Sequence, residues 1–235
     1  MLEAVLFDWG DTLMHWRWDD ALVEAGHRAG LAAIGLEPVP ALTDLFRSGY
    51  LPLLAGGESL EEVEYAGLVR SLLGEAAIDV DDAGLDAFLA AEHDAWEPAR
   101  QLGAATHALL ESLRDRGLRL GLVSNAIDPP WLLHRDLDRL GIRQRIDTAV
   151  FSSEVGWRKP HPAIFERALE TLGADPARTL FVGDSLAADV AGAGALGMTT
   201  VQAVWFHADG DPAAPEPDHV AFTPMDVLNI ASRLR

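Results

Sequence analysis

Leu2-Glu3-Ala4-Val5-Leu6-Phe7-Asp8-Trp9-Gly10-Asp11-Thr12-Leu13 opens the chain with a short apolar run that ends on a carboxylate. The run has no polar alternation, so it reads as a strand buried on both faces, as in a parallel sheet. Similar runs recur at 118–123, 148–151, 180–182 and 199–204, with a weaker one at 220–222. Helical patterns fall between them, at 104–116, 130–140, 162–172, 186–196 and 224–234. Gly117, Gly141, Gly173 and Gly197 follow four of these, where helix ends favour a left-handed residue. Strand alternating with helix predicts an α/β fold on a doubly wound parallel sheet, Rossmann-like in its layering.

One segment breaks the alternation. Residues 14–97 carry no convincing buried strand and read as amphipathic helices at about 20–34, 59–73 and 82–96, with turn signals at Pro38, Pro40, Gly56-Gly57 and Asp79. This predicts an α/β core made of residues 1–13 and 98–235, with a helical cap at 14–97 inserted after the first strand. Residues 211–218 hold three prolines and read as a surface loop.

The 235 residues carry a net charge of −19, which repels nucleic acid phosphates and anionic membranes. Nothing approaches the apolar length of a membrane span, and the N-terminus has no basic region before its short apolar run. With no cysteine, thiolate chemistry, disulfides and cysteine zinc sites are excluded; the expectation is a cytoplasmic protein. Of 18 basic residues one is a lysine, Lys159, so only one position can do lysine chemistry.

Ligands of open α/β sheets bind at the carboxyl ends of the strands. There the sequence places Asp8, Gly10, Asp11 and Thr12 after the first strand and Ser124-Asn125 after the second. Lys159 follows the third, in Gly156-Trp157-Arg158-Lys159-Pro160, and Gly183-Asp184-Ser185 with Asp189 follows the fourth. Each alone is an ordinary cap or turn former. Together they gather carboxylates, hydroxyls and an ammonium at one crevice. Clustered carboxylates repel one another, and a hard cation such as Mg²⁺ relieves the repulsion. A carboxylate left free can attack phosphorus, while an ammonium and a hydroxyl stabilise the transferring oxygens.

In this order the motifs resemble the haloacid dehalogenase-like superfamily over residues 2 to about 204, with the insert resembling its type 1 cap. The resemblance implies a phosphatase using Asp8 as nucleophile and metal ligand. Gly10 would offer its backbone carbonyl and Asp184 its carboxylate to Mg²⁺. Ser124, Asn125 and Lys159 would hold the phosphoryl group, and Thr12 would position the loop. Ser185 and Asp189 would support the metal waters or orient Lys159. The implied partner is a small phosphorylated metabolite, as a phosphomonoester or acyl phosphate.

One position departs from that pattern. Such phosphatases carry a second aspartate two residues after the nucleophile, as general acid and base, where this chain has Gly10 and then Asp11. Either Asp11 takes the role, or a cap residue such as His15 does, or the leaving group needs no acid. A 2-haloacid dehalogenase also lacks that aspartate, but its pattern is metal-free and replaces Asp184 by a small neutral residue. A phosphonate hydrolase would need a cap lysine, which is absent from this sequence. A mutase would need the missing aspartate. A catalytically impaired binding protein is the remaining alternative that Gly10 raises.

Overall fold

The computed structural model describes residues 1–54, 59–207, 210 and 213–234. The expected turn at Gly56-Gly57, and Asp211 and Pro212 of the expected loop, lie outside the described residues. Strands β1 (Ala4–Phe7), β2 (Met14–Trp16), β3 (Arg100–Leu102), β4 (Arg119–Ser124), β5 (Thr148–Phe151), β6 (Thr179–Gly183), β7 (Thr199–Ala203) and β8 (His219–Ala221) follow one another along the chain. Six form a parallel sheet in the order β5-β4-β1-β6-β7-β8. All four β1 residues are fully buried, which is why their run lacks polar alternation. One apolar cluster on the sheet holds Val5, Phe7, Leu120 and Leu122, and a second holds Ala4, Leu6, Val123 and Phe181. β1 therefore contributes alternate side chains to each face.

The strand order reverses around β1. From β1 the sheet grows through β4 to β5 on one side and through β6 to β8 on the other. This is the switch point at which open α/β sheets leave a crevice. Asp8, Ser124 and Asp184 stand at the carboxyl ends of the three strands that meet there.

Helices Asp20–Ala33, Pro40–Leu45, Tyr65–Glu75 and Asp82–Ala95 make the layer between β2 and β3. Its cluster includes Leu31, Leu42, Leu72 and Phe88, and also Leu132 from the α/β part, so the helical layer packs down onto the sheet's crevice edge. Gly30 lets two of these helices approach: a Cβ there would come within 2.6 Å of the Phe88 ring.

Several boundaries differ from the sequence expectation. The two chain crossings pair with each other, β2 antiparallel to β3, with Met14 opposite Leu102 and Trp16 opposite Arg100. Three-residue strands are too short to show a period. Pro40 begins a helix instead of marking a turn, since proline suits a first helical position. The helix expected at 59–73 starts at Tyr65. The preceding residues run against the Trp157 loop: Glu62 N–H donates to the Gly156 carbonyl and Arg158 N–H to that of Leu60. The 186–196 helix divides into a wide turn, Leu186–Val190, and a helix, Ala191–Ala195. The four helix-ending glycines all adopt φ between 60° and 83°.

Candidate active site

Asp8 follows the last residue of β1, and its N–H donates to the Val182 carbonyl of β6 (2.9 Å). The β1–β6 ladder thus extends one residue further and sets the carboxylate in the crevice. Lys159 enters from the loop after β5. Its Nζ lies 2.5 Å from Asp8 Oδ1, 2.6 Å from Asp189 Oδ1 and 3.0 Å from the Val123 carbonyl. All three donors of the ammonium are therefore used, and the side chain is buried. Asn125 fixes the lysine backbone from both sides: its Oδ1 accepts from Lys159 N–H (2.7 Å) and its Nδ2 donates to the Lys159 carbonyl (3.3 Å).

Asp8, Asp184 and Asp189 each bring a carboxylate oxygen within 4.8 Å of the others. Burial raises the Asp8 pKa to about 6 against the pull of Lys159. Burial, then the charges of Asp8 and Asp189, raise that of Asp184 to about 8. Burial opposes the Lys159 charge, but Asp189 and Asp8 outweigh it and hold its pKa above the ordinary lysine range. One ammonium thus faces three carboxylates, a surplus of negative charge on hard oxygen donors. That donor set fits Mg²⁺.

The remaining expected residues take distinct places. Ser124, at the end of β4, is buried and lines the crevice, with its hydroxyl 3.4 Å from the Asn125 carbonyl. Thr12 is buried; its carbonyl accepts from Trp205 Nε1 (2.9 Å), and its hydroxyl has no partner among the described residues. Thr12 does not reach the crevice lining. Ser185 caps the following turn through Ala188 N–H (3.2 Å), and its own N–H donates to Asp189 Oδ2 (3.1 Å). Gly10 lines the crevice, and a Cβ added there would meet no atom within 4 Å. Asp11 has φ 53°. Its Oδ1 accepts from Trp16 N–H (3.1 Å) and lies 2.8 Å from His15 Nδ1, so β2 holds it.

The crevice opens into a cavity of about 510 Å³ between sheet and helical layer. Sequence reasoning missed Arg100, Asp128 and Asp136 on its upper wall. His93 bridges Asp128 (2.7 Å) and Asp136 (2.9 Å), and Arg100 donates to Asp136 (2.5 Å) and to the His93 carbonyl (2.6 Å). Burial disfavours the charged imidazole, yet the two carboxylates raise its pKa above the usual value. Beside it, burial pushes Glu92 up to about 8 and His27 down to about 4. Near neutral pH their 3.5 Å approach is a contact of two uncharged groups, not an ion pair. No periodicity in the sequence links residues 93, 100 and 136.

Comparison with known proteins is consistent with this geometry. Residues 2–197 match the family described as "Hydrolase: haloacid dehalogenase-like hydrolase". A glyceraldehyde 3-phosphate phosphatase of Methanopyrus kandleri is 32% identical over 212 residues, covering 86% of this chain and 84% of that protein. Its namesake from Methanothermobacter thermautotrophicus is 37% identical over 126 residues, 53% of this chain and 52% of that protein. The latter match thus spans about half of that relative's length. Among solved structures, a 2-haloacid dehalogenase of Pseudomonas syringae pv. Tomato DC3000 superposes with a TM-score of 0.73 at 25% identity, over 100% of both chains.

Proposed function

The chain belongs to the haloacid dehalogenase-like hydrolase family, and on that premise we propose that it is a Mg²⁺-dependent phosphatase acting on a small phosphorylated metabolite through Asp8. The observation that carries this reading is the meeting of Asp8, Asp184 and Asp189 around Lys159 at the sheet's switch point.

Asp8, the Asp184 carboxylate and the Gly10 carbonyl would hold Mg²⁺, which when bound offsets the carboxylate repulsion and the charge of the phosphoryl oxygens. Lys159 ties down Asp8 Oδ1; the other oxygen is the one we assign to attack. It forms a bond to phosphorus as the bond from phosphorus to the leaving oxygen breaks. Water then attacks the aspartyl phosphate, releasing phosphate and restoring the carboxylate. Ser124 holds the transferring oxygens; Lys159 joins it by giving up one of the three acceptors it now holds, and Asn125 fixes the Lys159 backbone. Asp189 orients Lys159, Ser185 orients Asp189, and Thr12 packs the loop. The proposed core is residues 1–13 and 98–235, and the proposed cap is 14–97, with its closure supplied by the β2–β3 ribbon.

We assign Asp11 to holding the loop, because its Oδ1 is committed to the hinge strand. The proton expected from position 10 therefore has no donor there. The intact Asp184 separates this reading from metal-free dehalogenation, as do the phosphatase names of the relatives. The direct test is phosphate release from a panel of phosphorylated metabolites, with and without Mg²⁺. Mg²⁺-dependent release that disappears in Asp8→Asn and Asp184→Ala supports it. Chloride release from a 2-chloro acid in EDTA, with no phosphate release, would replace it by the dehalogenase reading.

A further inference from the structure

Three tryptophans meet at the cavity: Trp16 on β2, Trp18 two residues later, and, from far along the chain, Trp96 just after the Asp82–Ala95 helix. Trp96 stacks on Trp16 (centroids 5.5 Å, 21°) and tilts against Trp18 (5.0 Å, 45°). All three line the cavity, and Trp16 and Trp18 remain 36% and 50% exposed. Apolar ring surface left open beside a cavity of about 510 Å³, within the range that holds drug-sized ligands, awaits something to cover it.

The polar groups on the same wall are already engaged with one another. His93, Asp128, Asp136 and Arg100 form a closed set of hydrogen bonds. A polyhydroxylated substrate would have to break these pairs to be recognised, leaving buried polar groups unmatched. An aromatic one would lie against the indole surface of Trp16 and Trp18 that their packing on Trp96 leaves exposed.

The chemistry below points the same way. Position 10 has no side chain and open space around it. Asp11 lines the same cavity, but its Oδ1 is taken up by β2, and position 10 itself offers no acid to protonate a departing oxygen. An alkoxide departs poorly without one, whereas a phenolate (pKa about 10) leaves unaided.

From the two observations together we propose that the substrates are aryl phosphates, with the aromatic leaving group seated against Trp16, Trp18 and Trp96. The step is balanced: the bond from phosphorus to the phenolic oxygen breaks as Asp8 bonds to phosphorus. The phenolate takes the electron pair and later a proton from water. This inference rests on the phosphatase reading above.

The test compares 1-naphthyl phosphate, phenyl phosphate, acetyl phosphate, glycerol 3-phosphate and glyceraldehyde 3-phosphate with Mg²⁺. The aryl esters are expected to exceed the two alkyl esters in kcat/KM by about 10²-fold or more, the scale of a missing general acid. Gly10→Asp should narrow that gap by speeding the alkyl esters. Trp96→Ala should lower the ratio of naphthyl to acetyl phosphate turnover by about tenfold, roughly the value of a lost aromatic contact. Tryptophan fluorescence of Asp8→Asn, titrated with 1-naphthyl phosphate and with glyceraldehyde 3-phosphate, reads binding without turnover, and the aryl ester should bind at least about tenfold more tightly. Equal turnover of aryl and alkyl esters, or equal binding in the titration, overturns the aryl assignment while leaving the phosphatase reading intact. No phosphate release from any ester overturns the phosphatase reading, and the titration then decides the aryl site by itself.

Discussion

A Cβ added at Gly183 would fall 2.4 Å from Asp189 Cγ, so the end of β6 and the buried carboxylate share a space that only glycine leaves open. Asp189 in turn meets Lys159 at 2.6 Å. Gly183→Ala is therefore expected to push Asp189 off the ammonium. The variant should lose about 1–3 kcal/mol of stability by overpacking and lose activity with it. Urea unfolding and phosphate release measure the two effects; unchanged values for both would contradict the packing described.

Lys159 is buried between two carboxylates. Lys159→Met leaves both without their cation and should cost about 3–5 kcal/mol, as for a buried pair broken from one side. Adding Asp8→Asn to that variant should recover part of the loss, because one of the orphaned charges is then gone. Chemical unfolding of the two single variants and the double variant gives the coupling; strict additivity would mean that the contact has no energetic weight.

Metal removal should be visible without any substrate. Asp184 is crowded by Asp8 and Asp189, so Mg²⁺ should raise the thermal midpoint of the wild type, by about 2.7 kcal/mol of stability at 100 times its Kd. Asp184→Asn should abolish that gain and be the more stable protein in EDTA. Calorimetric scans in Mg²⁺ and in EDTA check both; equal stabilisation of the variant by Mg²⁺ would remove Asp184 from the metal site.

Glu92 gives a pH dependence with a defined sign. Burial, foremost, raises its folded pKa to about 8 from 4.5, so the folded state holds a proton that the unfolded state has lost between those values. Stability contributed by this group is complete below about pH 4.5 and falls as pH rises to 8, with a slope of up to about 1.4 kcal/mol per pH unit. Glu92→Gln should flatten the metal-free stability profile over that window and gain most, relative to wild type, at pH 8 and above. A wild type whose stability rises over the window, or a variant that is less stable at pH 8 than at pH 5 relative to it, would contradict the assignment.

The sheet was legible because β1, β4, β5 and β6 are largely buried and appear as nearly continuous apolar runs closed by a polar residue, whereas β8, with Val220 exposed, left only a weak trace. Asp8, Ser124 and Asp184 stand at those ends, and the crevice at β1 brings them together. Glycines at 117, 141, 173 and 197 marked helix ends because left-handed backbone leaves a compositional trace. The β2–β3 ribbon left none, being three residues long on each side. Nor did the extended start of the 59–73 segment, whose backbone donors and acceptors are used by a loop nearly a hundred residues later. The direction of Asp11 was hidden for a related reason: its partners are the His15 ring and the Trp16 N–H, and nothing in the sequence fixes β2 as their platform. The His93, Arg100 and Asp136 network depends on helix packing, which composition does not encode.

The most direct measurement is acid-quenched mass spectrometry of the peptide containing Asp8, taken during turnover of an aryl phosphate with Mg²⁺. The account predicts one phosphoryl group on Asp8, present in the wild type and absent in Asp8→Asn or in EDTA. Turnover without a phosphoryl group on Asp8 at any quench time, or one that persists in Asp8→Asn on another residue, would contradict it.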